Sequence, residues 1–262
     1  MKEDKTKIAV LIDADNAHSS LIEEIIAEVS KYGKATIRRI YGDWTIPQMN
    51  TWKETLNNHS LNPIQKFAYT KGKNSSDSSL IIDAMDILHD KNVDGFCIVS
   101  SDSDFTGLAK RIREEGMFVM GIGRQTTPIA FVNSCEIFTF TENLIQKDHP
   151  DDLGLAETIS SIQNANTKSK AKTNKLKEVI TTKYVPLSLE EIAKIDKAYE
   201  IAATEEETIL VSKLGWTLRK IDPSFDPRTF GFKSLSQLFE SLKKYEVVKN
   251  DAHGHHPLVK IK

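Results

Sequence analysis

The sequence predicts an α/β fold, a parallel sheet with helices on both faces, followed by a small module of helices that ends in a β-hairpin. Three observations carry this reading. Up to residue 145, short runs rich in β-branched residues alternate with longer stretches of helical period. Acidic residues recur where an apolar strand meets a helix, at Asp13, Asp77, Asp83, Asp102 and Asp104. Beyond residue 146 the chain turns polar and then resumes with a different order of elements.

The elements follow in order. Ile8 to Ile12 reads as a buried strand, Leu21 to Val29 as a helix, and Ala35 to Tyr41 as a strand carrying Arg38 and Arg39. Pro47 opens a helix through Trp52 and Leu56, and Ile64 to Phe67 is a further short strand. Ser76 or Asp77 caps the next helix, whose Leu80, Ile81, Ala84, Ile87 and Leu88 keep the spacing of one buried face. Gly95 to Ser100, Phe118 to Gly121 and Ile137 to Phe140 complete the strands, with a helix from Phe105 to Glu114 between the first two. Such alternation requires crossover connections, hence parallel strands.

The stretch from 146 to about 175 contains Asp148-His149-Pro150-Asp151-Asp152 and a lysine-bearing run with few branched apolar residues, as suits an exposed linker. The expected division is a first domain over 1–145, a linker over 146–175 and a second domain over 176–262. In the last, Leu176 to Tyr199, Glu207 to Ile221 and Ser234 to Leu242 read as helices, and Tyr245 to Lys249 and Leu258 to Ile261 as strands. Helices closed by a hairpin describe a winged helix.

Composition limits the function classes. The net charge of -2 gives no global basic field, so nucleic-acid contact would rest on local patches. Cys97 and Cys135 lie in or beside apolar runs, as expected of reduced, buried thiols in a cytoplasmic protein, and two cysteines build no zinc finger. The charged start, Met1-Lys2-Glu3-Asp4-Lys5, followed by a strand-length apolar run, reads as neither signal peptide nor membrane anchor. A Gly-rich phosphate cradle is missing, which argues against a nucleotide-hydrolysing motor.

Asp13 follows the first strand and Asp102 the fourth, which are neighbours in the common doubly wound order, so both carboxylates border one crevice. Taken singly, Asp13, Asp77 and Asp104 read as helix caps or turn residues. Taken together they repel one another and call for a cation, the usual signature of hydrolysis assisted by a hard metal.

Val10-Leu11-Ile12-Asp13-Ala14-Asp15-Asn16, Lys71-Gly72-Lys73-Asn74-Ser75-Ser76-Asp77, Ile82-Asp83-Ala84-Met85-Asp86 and Ile98-Val99-Ser100-Ser101-Asp102-Ser103-Asp104-Phe105 resemble the signatures of the NYN domain, a branch of the PIN-like nucleases, in its limkain type. The resemblance spans roughly Lys7 to Leu144. It implies a PIN-like sheet that cuts RNA with one or two Mg²⁺ or Mn²⁺ ions. Asp13, Asp77 and Asp102 match the metal positions, Asp104 the supporting acid of the metal site, and Asn16 the asparagine that orients a ligand or the attacked phosphate. Asp83, six residues into the helix from Asp77, is expected behind the site rather than on the metal, as are Ser101 and Ser103. Lys71, Lys73 and Arg124 flank the crevice and are the candidates for holding the RNA backbone.

Leu214-Gly215-Trp216, Phe225-Asp226-Pro227-Arg228-Thr229-Phe230-Gly231-Phe232 and Leu235 to Leu242 with Tyr245-Glu246-Val247-Val248 resemble the LOTUS domain, also called OST-HTH. That implies a winged helix that binds RNA or docks a protein partner. Its Trp216, Phe230, Phe232 and Phe239 read as core residues, and Arg219, Lys220, Arg228, Lys233, Lys243 and Lys244 as its contact surface. The leading reading is a metal-dependent endoribonuclease with a tethered module. A non-catalytic RNA-binding adaptor is the second, and an aspartate-nucleophile phosphatase built on Asp13-Ala14-Asp15 a distant third, since Ala17 stands where that chemistry wants Thr or Val.

Overall fold

The computed structural model describes residues 6–67, 75–145, 185–203, 208–249 and 256–262. The expected linker, the start of the helix expected from Leu176, and Lys71 and Lys73 lie outside the described residues. The elements are β1 (Lys7–Asp13), α1 (Ile22–Val29), β2 (Lys34–Gly42), α2 (Trp52–Asn58), β3 (Asn62–Gln65), α3 (Ser75–Asp90), β4 (Gly95–Val99), α4 (Thr106–Glu114), β5 (Phe118–Gly123), α5 (Ile129–Val132), β6 (Ile137–Phe140), α6 (Glu142–Ile145), α7 (Leu189–Ala202), β7 (Ile209–Leu210), α8 (Val211–Ile221), α9 (Leu235–Ser241), β8 (Tyr245–Lys249) and β9 (Pro257–Ile261).

The first six strands form one all-parallel sheet in the order β3-β2-β1-β4-β5-β6. A parallel sheet of this kind is covered on both faces, so its central strands read as continuous apolar runs. β1 is buried at every position after Lys7. Its alternating side chains serve two separate layers: Ala9 and Leu11 pack with Leu80 and Ala84 of α3, Leu108 and Ile112 of α4 and Phe131 of α5. Ile8, Val10 and Ile12 pack with Ile22, Ile25 and Val29 of α1 and Trp52 of α2. The strand order reverses between β1 and β4, whose carboxyl ends therefore flank the crevice that doubly wound sheets use for ligands.

The second domain has its own core of Ile195, Ala198, Leu214, Leu218, Phe230, Phe239, Tyr245 and Val259. α7 begins with a capping box, in which Ser188 and Glu191 satisfy each other's backbone N–H groups. β7, β9 and β8 form an antiparallel sheet in that order, the wing of the winged helix. Two expectations change here. Glu207 to Ile221 does not form one helix, because Ile209 and Leu210 pair with Val259 and Leu258 of β9 and the helix starts only at Val211. Trp216 does not join the core with Phe230, Phe232 and Phe239 but is 54% exposed, on the face of α8 opposite Leu214 and Leu218. No described helix is long and apolar enough to cross a membrane.

The two domains touch along the β6 edge. The Phe138 N–H donates to the Pro223 carbonyl at 2.8 Å, and the Asn143 amide donates to Thr229 Oγ1 at 2.9 Å. Arg228 provides the ionic contact: its Nη1 and Nη2 meet the two oxygens of Glu28, on α1, each at 3.0 Å. Asp226 prepares this, since one carboxylate caps the turn by accepting from the Arg228 N–H at 2.9 Å and also grips the guanidinium Nε at 3.0 Å. Arg228, expected at the contact surface for RNA, has its guanidinium engaged in joining the domains. Removing one partner of a buried pair costs about 3–5 kcal/mol, chiefly through the charge left behind. Arg228→Met leaves the buried Glu28 with only the exposed Lys31, at 2.7 Å, and takes the guanidinium from Asp226 as well, whereas Glu28→Gln leaves Arg228 still paired with Asp226. Urea denaturation should show the larger loss for Arg228→Met; equal losses would mean that the junction does not depend on the guanidinium.

Candidate active site

Asp13 is the last residue of β1, and Ser100 follows the last residue of β4. Their side chains meet across the neighbouring strand ends, with the Ser100 hydroxyl donating to Asp13 Oδ2 at 2.9 Å. The same Oδ2 accepts from the Asn16 amide at 2.6 Å, and Oδ1 accepts from the Asp15 N–H at 3.1 Å. Asp13 is only 1% exposed. Burial pushes its pKa up, while these hydrogen bonds pull it back down.

The chain of contacts continues outward. Ser100 Oγ accepts from the Asp102 N–H at 3.1 Å, and Asp102 Oδ1 accepts from the Asp104 N–H at 2.9 Å, capping the short turn Ser103–Phe105 that leads into α4. Gly123, at the end of β5, explains why the neighbouring strand can come so close: a Cβ there would sit 2.5 Å from the Ser100 carbonyl oxygen. Asp77 stands in the first turn of α3, where the helix N-terminus favours negative charge. One carboxylate oxygen from each of Asp77, Asp102 and Asp104 lies within 4.8 Å of the others. Burial first, and then the charges of Asp13, Asp102, Asp104 and Asp15, push the Asp77 carboxyl up to about 6.

Hard divalent cations bind oxygens at about 2.0–2.6 Å, so two ligands on opposite sides of one ion stand about 4–5 Å apart. The three carboxylates are therefore of the right kind and spacing to hold Mg²⁺ or Mn²⁺, with Asp13 fastened just behind them.

Several residues singled out from the sequence are placed elsewhere. Asp83 receives hydrogen bonds from Arg39 and Tyr41 of β2, tying α3 to the sheet. Ser101 Oγ accepts from the Arg124 N–H at 2.9 Å, which joins the loops after β4 and β5 and sets the exposed Arg124 at the crevice mouth. The Ser103 carbonyl accepts from Thr106 Oγ1 at 2.5 Å. Arg219, Lys220, Arg228 and Lys243 belong to the second domain, and Lys243 is exposed beyond α9. Two participants were not anticipated. Ser100 was visible only as one serine of a pair, and Asp15, which accepts from Ser76 Oγ at 3.1 Å, only as the second acid of its motif.

A doubly wound sheet with acids gathered at its carboxyl edge, followed by a winged helix, is the architecture of a PIN-like nuclease-type domain joined to a winged-helix module. The chain belongs to the NYN domain family, which it matches over residues 7–144, within the nuclease superfamily. Residues 167–257 match the OST-HTH/LOTUS domain. A crystallised protein of unknown function from Vibrio parahaemolyticus is similar over 53% of this chain and 94% of its own, at 22% identity and a TM-score of 0.44. No curated protein matches the chain.

Without a cation, the crowding of carboxylates has a pH signature. The Asp77 pKa in the folded chain, about 6, lies above the roughly 3.9 of an unfolded Asp. The stability that its protonated form contributes is then complete below about pH 4 and is lost as pH rises through 6. Asp77→Asn, neutral at every pH, should stabilise the chain in chelator at pH 7.5 by up to roughly 3 kcal/mol and far less at pH 4. Urea denaturation at the two pH values decides it, and a gain that ignores pH would remove repulsion as the cause.

Proposed function

We propose that the chain is a metal-dependent endoribonuclease that hydrolyses RNA phosphodiesters, with the C-terminal domain as a tethered RNA-binding module. The convergence of Asp77, Asp102 and Asp104 beside Asp13 carries this reading. The membership of the first domain in a nuclease superfamily, and the LOTUS match of the second, favour RNA as substrate. Asp77, Asp102 and Asp104 would hold Mg²⁺ or Mn²⁺, which would supply positive charge against the scissile phosphate and lower the pKa of the water that attacks it.

The remaining work falls to the chain's own groups. Asn16 and Ser100 fix the Asp13 carboxylate in one orientation, so that its negative charge stays at the crevice without the freedom to swing away. Ser100 also holds the Asp102 backbone, which sets where the Asp102 and Asp104 carboxylates stand. Arg124, at the mouth, is placed to meet an RNA phosphate. No histidine is needed as general base. Cys97 and Cys135 are both free and buried, which supports a reducing compartment such as the cytoplasm.

Incubation of the full chain with labelled single-stranded RNA in Mn²⁺, in Mg²⁺ and in chelator tests this. Cleavage should require the cation and fall by about 100-fold or more in Asp102→Asn and Asp13→Asn, and by about 10- to 100-fold in Ser100→Ala, which only positions a neighbour. Chelator-insensitive cleavage, or unchanged cleavage by both aspartate variants, would sink the assignment; RNA binding without any cleavage would make the protein an adaptor.

A further inference from the structure

At the far end of the sheet from the acids, the two domains enclose a groove of about 390 Å³, lined in part by Arg113, Glu136, Ile137, Trp216, Arg219 and Lys220. Arg113 lies in the last turn of α4, and Ile137 begins β6, so the groove lies at the amino ends of the strands. β5 is six residues long, which at about 3.3 Å per residue puts the groove on the order of 20 Å from the carboxylates. It is a separate place from the candidate active site.

α8 supplies most of its chemistry. Trp216, Arg219 and Lys220 follow the i, i+3, i+4 spacing of one helix face, while Leu214 and Leu218 fill the core behind them. A tryptophan that is 54% exposed stands out, because Val211, Leu214 and Leu218 of the same helix are buried. Across the groove Arg113 is exposed and donates to the Asn133 carbonyl at 3.2 Å, which steadies it. Arg219 stands over the Tyr32 ring at 5.7 Å, and Lys220 forms no ion pair with any described residue. Three cations face a single carboxylate, that of Glu136, whose pKa burial raises. An open aromatic face among an excess of cations complements a chain that alternates flat bases with phosphates, and it suits an acidic or apolar peptide less well.

We propose that this junction groove is a second contact site for single-stranded RNA, in which a base stacks on Trp216 while Arg113, Arg219 and Lys220 hold the flanking phosphates. The choice of RNA over other single strands rests on the function proposed above; the site itself rests on the groove. Because both domains build it, it anchors the strand at a fixed distance from the acidic crevice instead of merely tethering it.

The test is binding of oligouridine to the full chain in chelator, so that no cleavage intervenes. Trp216→Ala should weaken binding by about 5- to 100-fold, the range expected for loss of one stacked base, and Trp216→Phe should keep most of the affinity. Arg113→Ala combined with Lys220→Ala should lower the slope of log affinity against log salt by about 0.7 per lost phosphate contact. Of the three tryptophans, Trp52 is buried and Trp44 half-buried, so RNA should quench a fluorescence component that Trp216→Ala removes. Unchanged affinity and salt slope in these variants would overturn the proposal, and would be the outcome if the groove takes a protein. Equal binding of duplex RNA, indifferent to Trp216, would overturn the stacking. A wild-type chain that binds through Trp216 yet never cleaves would refute only the nuclease reading, and a cleaving chain that ignores Trp216 only the groove.

Discussion

Carboxylates brought to one end of a parallel sheet repel each other, and the architecture of the first domain is organised around holding them there. The strand order places the ends of β1 and β4 side by side. One serine then serves both: the Ser100 hydroxyl donates a hydrogen bond to Asp13 and accepts one from the Asp102 N–H. This couples the position of the buried acid to that of Asp102 and Asp104, so the acids are arranged by backbone and hydroxyl groups of the chain itself. The absence of a side chain at Gly123 lets β5 close against the same serine. The cost of the arrangement is concentrated on Asp77, the acid that faces all the others.

The second domain attaches away from Asp13 and its neighbours. It sits on the β6 edge and at the amino ends of the strands, through Pro223, Thr229 and Arg228. Asp226 makes this contact specific, because a side chain that caps the local turn also fixes the direction in which the guanidinium points. A local motif thereby becomes a long-range contact, and the groove beside it exists only while the two domains stay in register.

The alternation of strands and helices, the neighbouring of the first and fourth strands and the acids at their ends were legible because each rests on periodicity or on position next to an apolar run. Other features depend on tertiary partners and leave no local trace. α5 and α6 have four residues each, too few to display a period. Trp216 has the aromatic character of a core residue, and only the direction of the α8 face, set by Leu214 and Leu218, turns it outward. Arg228 resembles any surface cation until Glu28 comes from the other domain, about 200 positions away. The gathering of Asp13, Asp77, Asp102 and Asp104 is legible from their positions, whereas the role expected of Asn16 rests on the family resemblance; the hydrogen bonds that Asp83 receives from Arg39 and Tyr41 come from β2, which the spacing of acids does not reveal.

The bond from Phe138 to the Pro223 carbonyl bears on how the protein behaves in a crowded solution. An open parallel sheet has two edges, each a row of backbone groups ready to pair with a stranger. At one edge β3 carries Pro63, which offers no N–H and so spoils the template. At the other, β6 has no such residue and is covered by the neighbouring domain instead. The second domain therefore shields the edge that β6 would otherwise offer, and a first domain severed from it would present β6 to another copy of itself.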